Sequence, residues 1–99
     1  MKTKPSQRSL ELVETAAREA WGVTLEEISG TNKTQPGCFQ RALCICVLAE
    51  EMGFTQRSAC KALGTTSYGY LYMRDGVTKK LSEQVFYRRL ATRFLERLG

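Results

Sequence analysis

Residues 54–73, FTQRSACKALGTTSYGYLYM, read as two short helices joined by a tight turn at Gly64. Thr55 is placed to cap the first helix, because a threonine hydroxyl accepts one of the backbone N–H groups that a helix start leaves without a partner. Ala59, Cys60 and Leu63 recur at helical spacing and so share one face. The small side chains at Ala59 and Cys60 let a second helix approach closely. Gly64 supplies the left-handed backbone that a tight helix exit needs. Thr65, Thr66 or Ser67 can cap the helix that follows, expected over about residues 66–74. Two helices in this order form a helix-turn-helix, whose second helix enters the major groove in DNA-binding proteins.

Outward from this unit the pattern stays helical. Cys38 to Met52 is apolar almost all round, with Phe39, Ala42, Leu43, Cys46, Val47 and Ala49. A helix without a polar face belongs in the interior, so this is the expected central helix, with Gly53 closing it. Upstream, Ser9 to Trp21 carries an apolar stripe of Leu10, Val13, Ala17, Ala20 and Trp21, and Gly22 stops it. Trp21 reads as a core anchor for that helix. Thr24-Leu25-Glu26-Glu27 has the form of a capping box, which predicts a short helix turning Leu25 and Ile28 inward and ending at Gly30. Residues 30–37, GTNKTQPG, are a loop by composition. Downstream, Asp75-Gly76 is a turn signal. Ser82 then opens a last helix with Val85, Phe86, Leu90, Phe94 and Leu98 along one face. Arg88, Arg89, Arg93 and Arg97 read as a solvated face of that helix in preference to a second DNA site. The expected fold is all-α, about six helices around a buried central one. Residues 1–8 are expected as a flexible basic arm and residues 9–99 as a single helical domain.

The chain has 99 residues and a net charge of +5. Residues 1–50 hold six Lys/Arg against six Asp/Glu, while residues 51–99 hold nine against four. The whole excess therefore lies in the half that carries the helix-turn-helix, which favours a polyanionic partner, nucleic acid ahead of an anionic membrane surface, over a merely solubilising basic surface. No apolar run approaches the about 20 residues of a membrane span. The segment MKTKPSQRS has no apolar core after its basic residues, so no secretory signal is read there. A bacterial or viral-host cytoplasm is the expected address, with no membrane partner.

There are four cysteines and no histidine. Cys44 and Cys46 diverge on a helix, and Cys38 and Cys60 add no metal spacing. They read as small buried residues in a reducing compartment. No metal and no small-molecule cofactor is expected. With no histidine, no carboxylate pair in an apolar setting and no glycine-rich phosphate loop, an enzyme is not expected.

The order of these pieces resembles the C-terminal DNA-binding domain of the bacterial replication initiator DnaA, which belongs with the Trp-repressor-like helical folds. The residues that carry the resemblance are LVETAAREAWGVTLEEISG (12–30), ALCICVLAEEMGFTQRSACKALG (42–64) and the basic end after Asp75. It covers roughly residues 10–95. Where the family begins its recognition helix with Asp-His-Thr-Thr, this chain reads Ser67-Tyr68-Gly69-Tyr70. The family's Arg-Pro-Arg before the buried helix is represented loosely by Pro36 to Arg41. The resemblance does not extend to an ATP-binding domain. It implies the fold and double-stranded DNA binding in replication or transcription, without recognition of the initiator's own DNA box. A relative encoded by a phage or mobile element, or a stand-alone regulator, fits these departures.

The site residues follow. The second helix offers Thr65, Thr66, Ser67, Tyr68, Tyr70, Tyr72 and Arg74. Hydroxyls can meet phosphates or bases, and Arg74 is its one long cation for guanine readout. Arg57 and Lys61 on the preceding helix suit the DNA backbone, and Lys79 and Lys80 a flanking phosphate. Lys33 matches the position of the family's backbone-contacting loop. Tyr68, Tyr70 and Tyr72 cannot all face outward from one helix, so Leu71 and either Tyr70 or Met73 are expected in the core. Gly69 either lets a phosphate approach the backbone or marks a frayed helix. One such unit reads few base pairs, so a homodimer or a multi-site array would extend its reach. The alternative is a protein–protein interaction module on the same fold, because tyrosine is enriched at protein interfaces.

Overall fold

The computed structural model describes residues 7–30 and 36–98, and every regular element among them is an α-helix. The helices are α1 (Gln7–Trp21), α2 (Gly37–Glu50), α3 (Gln56–Ala62), α4 (Tyr70–Glu83) and α5 (Val85–Leu98). None is long and apolar enough to cross a membrane.

The central helix is where the apolar pattern places it. Eleven of the fourteen residues of α2 are buried. All four other helices pack against or around it, and α1 lies along α5. Trp21 joins that last pair: its indole stacks on Phe94 at 4.6 Å between centroids, and its Nε1 donates to the Leu90 carbonyl at 2.9 Å. Such a stack adds about 0.5–1.5 kcal/mol beyond the area it buries. Burial also explains the thiols. Cys44, Cys46 and Cys60 are buried and Cys38 is half-buried, all as free cysteines. Burial pushes the Cys44 and Cys60 thiols up, and burial followed by the Glu50 carboxylate pushes Cys46 up to about 11.

The capping box forms both of its hydrogen bonds. Glu27 N–H donates to Thr24 Oγ1 at 3.1 Å, and Thr24 N–H donates to Glu27 Oε1 at 2.9 Å. Yet residues 25–28 form a turn, not the short helix expected, so the described residues hold five helices where about six were expected. Four residues are too few to offset helix nucleation, and Arg41 reaches across to bond the Ile28 and Ser29 carbonyls from outside. Ile28 is buried as expected and Leu25 partly so. The turn delivers Gly30 against the exit of α3, where its N–H donates to the Leu63 carbonyl at 2.9 Å. A Cβ on Gly30 would collide with the Gly64 carbonyl, oxygen and carbon alike.

Four boundaries differ from expectation. α1 begins at Gln7, so Gln7 and Arg8 belong to the helix and not to an arm; the rest of that arm, residues 1–6, lies outside the described residues. α4 begins at Tyr70 and not near Thr66, because Gly69, left-handed at φ 80, is its N-cap, and no side chain caps it. α4 then runs through Asp75-Gly76, which is helix interior and not a turn. Tyr70, Met73, Val77 and Leu81 keep helical spacing across that pair and pack on the core, and this outweighs the about 1 kcal/mol that an interior glycine costs. Ser82 therefore lies in α4, its hydroxyl donating to the Lys79 carbonyl, and the break comes at Gln84, whose backbone is extended. On α5 the inward face is Tyr87, Ala91 and Phe94, with Leu90 and Leu98 partly buried. Val85 and Phe86, expected inward, are more than half exposed.

Two glycine substitutions check this arrangement by thermal or urea unfolding. Gly30→Ala should lower stability by about 1–3 kcal/mol, because the clash is with backbone that no rotamer change relieves. Gly76→Ala has open space around its Cβ and should raise stability by about 0.5–1 kcal/mol, the opposite of its effect in a tight turn.

Candidate nucleic-acid interface

The segment from Thr55 to Lys80 holds nearly all the predicted site. Thr55 caps α3, its Oγ1 accepting from Ser58 N–H at 3.0 Å. Ala59, Cys60 and Leu63 are buried, which turns Arg57 and Lys61 outward into solvent. α3 ends in a Schellman motif. Thr65 N–H donates to the Cys60 carbonyl at 2.9 Å, Gly64 N–H donates to the Lys61 carbonyl at 3.0 Å, and Gly64 sits at φ 70. This closes the helix within two residues and fixes the direction of the linker.

The linker spans residues 65–69. Thr65 and Ser67 are half-buried, Thr66 is exposed, and Tyr68 is 95% exposed. Ser67 accepts Tyr70 N–H through its carbonyl at 3.1 Å, and Gly69 accepts Met73 N–H at 3.0 Å. The start of α4 is thus capped by backbone groups and not by a side chain, and the Thr66 and Tyr68 side chains face solvent.

Tyr70 sets the register of α4. It is 3% exposed, and its hydroxyl donates to Glu50 Oε2 at 3.3 Å. Burial, then the neighbouring Cys46 and Glu50, push its phenol well above the usual range. With Tyr70, Met73 and Val77 inward, the outward face is Leu71, Tyr72, Asp75, Thr78 and Lys79. Tyr72 is 87% exposed and Leu71 is 57% exposed, so Leu71 is not the core residue expected. Arg74 is exposed but stands four residues from Tyr70, on the flank of the helix, where it lines a cleft with Glu50 and Gln56. Lys79 faces outward, while Lys80 is half-buried with its ammonium 5.6 Å from the Tyr87 ring centroid. Lys33 lies outside the described residues.

Arg57, Lys61, Thr66, Tyr68 and Lys79 are thus exposed groups on α3, the linker and α4, while Arg74 lines the Glu50 cleft and Lys80 is half-buried; α3 and α4 each pack on α2 and scarcely on each other. Sequence reasoning missed Leu71 as an outward residue and gave Tyr72 too little weight. The signal was present: Tyr70, Met73, Val77 and Leu81 form an unbroken helical stripe once Asp75-Gly76 is not taken as a stop. Among the described residues, no group of three or more His, Cys, Asp or Glu side chains could hold a metal ion.

No protein-family model, curated protein or solved structure matches the chain.

The register of α4 is open to a paired substitution. Tyr70→Ala should cost about 3–5 kcal/mol of stability, as truncating a buried aromatic does. Tyr72→Ala should stay within about 0.5 kcal/mol, as exposed positions do. Equal destabilisation by the two would mean that α4 is rotated from this register.

Proposed function

We propose that the protein binds double-stranded DNA, using α3, the Gly64–Gly69 linker and α4 as a helix-turn-helix with the start of α4 in the major groove. The observation that carries this reading is the exposure of Thr66, Tyr68, Leu71 and Tyr72 around the start of α4, with Arg57 and Lys61 exposed on α3 just before it. N-terminal residues of a recognition helix meet base edges first, and the preceding helix crosses the backbone. The sequence resemblance to the DnaA C-terminal domain points to the same assignment, with a turn in place of the short helix expected after α1.

In this arrangement Arg57 and Lys61 contact phosphates and set the register on the duplex. Tyr68, Leu71 and Tyr72 pack or bond at base edges, Leu71 being suited to a thymine methyl, and Asp75 can accept from a cytosine amino group. Lys79, about one helical turn beyond Asp75, takes a phosphate, with Arg74 beside the groove wall. Gly69, without a Cβ, leaves the backbone at the start of α4 open to close approach. Tyr68 and Gly69 stand where the DnaA pattern has other residues, so the preferred sequence differs from the initiator's box.

A second reading rests on the same face. Tyr68, Leu71 and Tyr72 are large and exposed, and tyrosine is enriched at protein interfaces. A protein partner would use these groups without needing Arg57 and Lys61.

Duplex binding measured across a salt series separates the two. The DNA reading expects affinity to fall steeply with salt. The Arg57→Ala/Lys61→Ala double variant should then lessen the log–log slope by about 2, near 0.9 for each phosphate no longer neutralised. Absence of duplex binding by the folded wild type at low salt would remove this reading and favour the protein interface.

A further inference from the structure

The solvent side of α5 carries a run of exposed arginines outside the α3–α4 unit. Val85, Arg88, Arg89, Thr92 and Arg93 line one shallow groove, and none of these five side chains is acidic. Arg88, Arg89, Thr92 and Arg93 are all exposed. Arg88 closes the first turn of α5, which carries no acidic residue, so the positive end of the helix dipole acts beside it; Thr92 and Arg93 follow about one turn further on. Arg93 also borders a second cleft with Glu19, Glu96 and Arg97, which leaves Arg88 and Arg89 as the pair least offset by carboxylates. Two or three guanidiniums beside a hydroxyl match the oxygens of a phosphodiester, which arginine bonds in a bidentate manner.

We propose that this α5 groove is a second nucleic-acid contact, gripping the phosphodiester backbone of a duplex through Arg88, Arg89 and Arg93. The inference rests on the DNA-binding reading and adds to it a surface that the recognition helix does not use. α4 feeds directly into α5 through Gln84, so the groove begins a few residues beyond Lys79. Charge complementarity selects the occupant. An anionic membrane would also attract these arginines, but an interfacial helix must bury an apolar face in lipid. The apolar face of α5, Tyr87, Ala91 and Phe94, is already buried in the protein core. The exposed large apolar side chains of α5 are Val85, Phe86 and Leu95, spread around the helix at different angles and not gathered into one face for insertion.

The test compares three proteins on the same duplexes: wild type, Arg57→Ala/Lys61→Ala, and Arg88→Gln/Arg89→Gln/Arg93→Gln. Trp21 fluorescence and circular dichroism confirm that each is folded, and the α5 substitutions are all at exposed positions. The α5 variant should lessen the salt slope by about 2–3, and its affinity deficit should be larger on a long duplex than on a short one. An unchanged slope in the α5 variant, with the α3 variant impaired, overturns this proposal and leaves the helix-turn-helix reading intact. Weakened binding by the α5 variant alone upholds the groove and removes the α3–α4 reading. Wild type that binds no duplex at low salt overturns both. Binding to phosphatidylserine vesicles that the α5 variant loses, with duplex binding unaffected, assigns the groove to lipid and overturns the proposal.

Discussion

The burial of α2 governs everything else in this fold. A helix that is apolar on every side cannot face water anywhere, so it needs neighbours on all sides. Its Phe39 meets Tyr87 of α5 at 4.7 Å between ring centroids, and its Glu50 receives the hydroxyl of Tyr70 from α4. The faces turned toward α2 are thereby fixed, and so are the faces turned away. Arg57, Lys61, Tyr68 and Tyr72 are outward because Ala59, Cys60 and Tyr70 are inward. The candidate interface is what remains of α3 and α4 after α2 has been covered.

A smaller constraint acts at the exit of α3. The Schellman closure at Gly64 and the hydrogen bond from Gly30 to the Leu63 carbonyl meet at one point. Gly30 ends the turn that follows α1. The end of that turn is therefore tied to the exit of α3 by backbone contact, with no room for a side chain. A site assembled from separate parts of the chain depends on such ties, because a shift of the linker would carry Thr66 and Tyr68 with it.

Much of this is legible in the residues. The Thr55 cap, the Gly64 exit, the Thr24–Glu27 reciprocal bonds and the buried α2 each follow from a local rule with one dominant solution. What is not legible is equally specific. Asp75-Gly76 carries a strong turn preference, but Tyr70, Met73, Val77 and Leu81 together bury more than that preference is worth. Local chemistry yields there to packing at longer range. Phe86 is more apolar than Tyr87 and so reads as the better core residue, whereas helical spacing from Ala91 and Phe94 selects Tyr87. The small Ala91 makes that stripe faint. Leu71 reads as inward on its apolarity alone, whereas the register set by Tyr70, Met73 and Val77 turns it outward.

The central claim is that the outward face running from Thr66 to Lys79 meets a DNA duplex. Amide chemical shifts of the labelled protein, recorded as a duplex is added at low salt, test it most directly. The account predicts that the largest changes fall on Arg57, Lys61 and residues 66–79, with the α1 face little affected. Changes centred on α1, or a duplex in excess that shifts no amide, would contradict it.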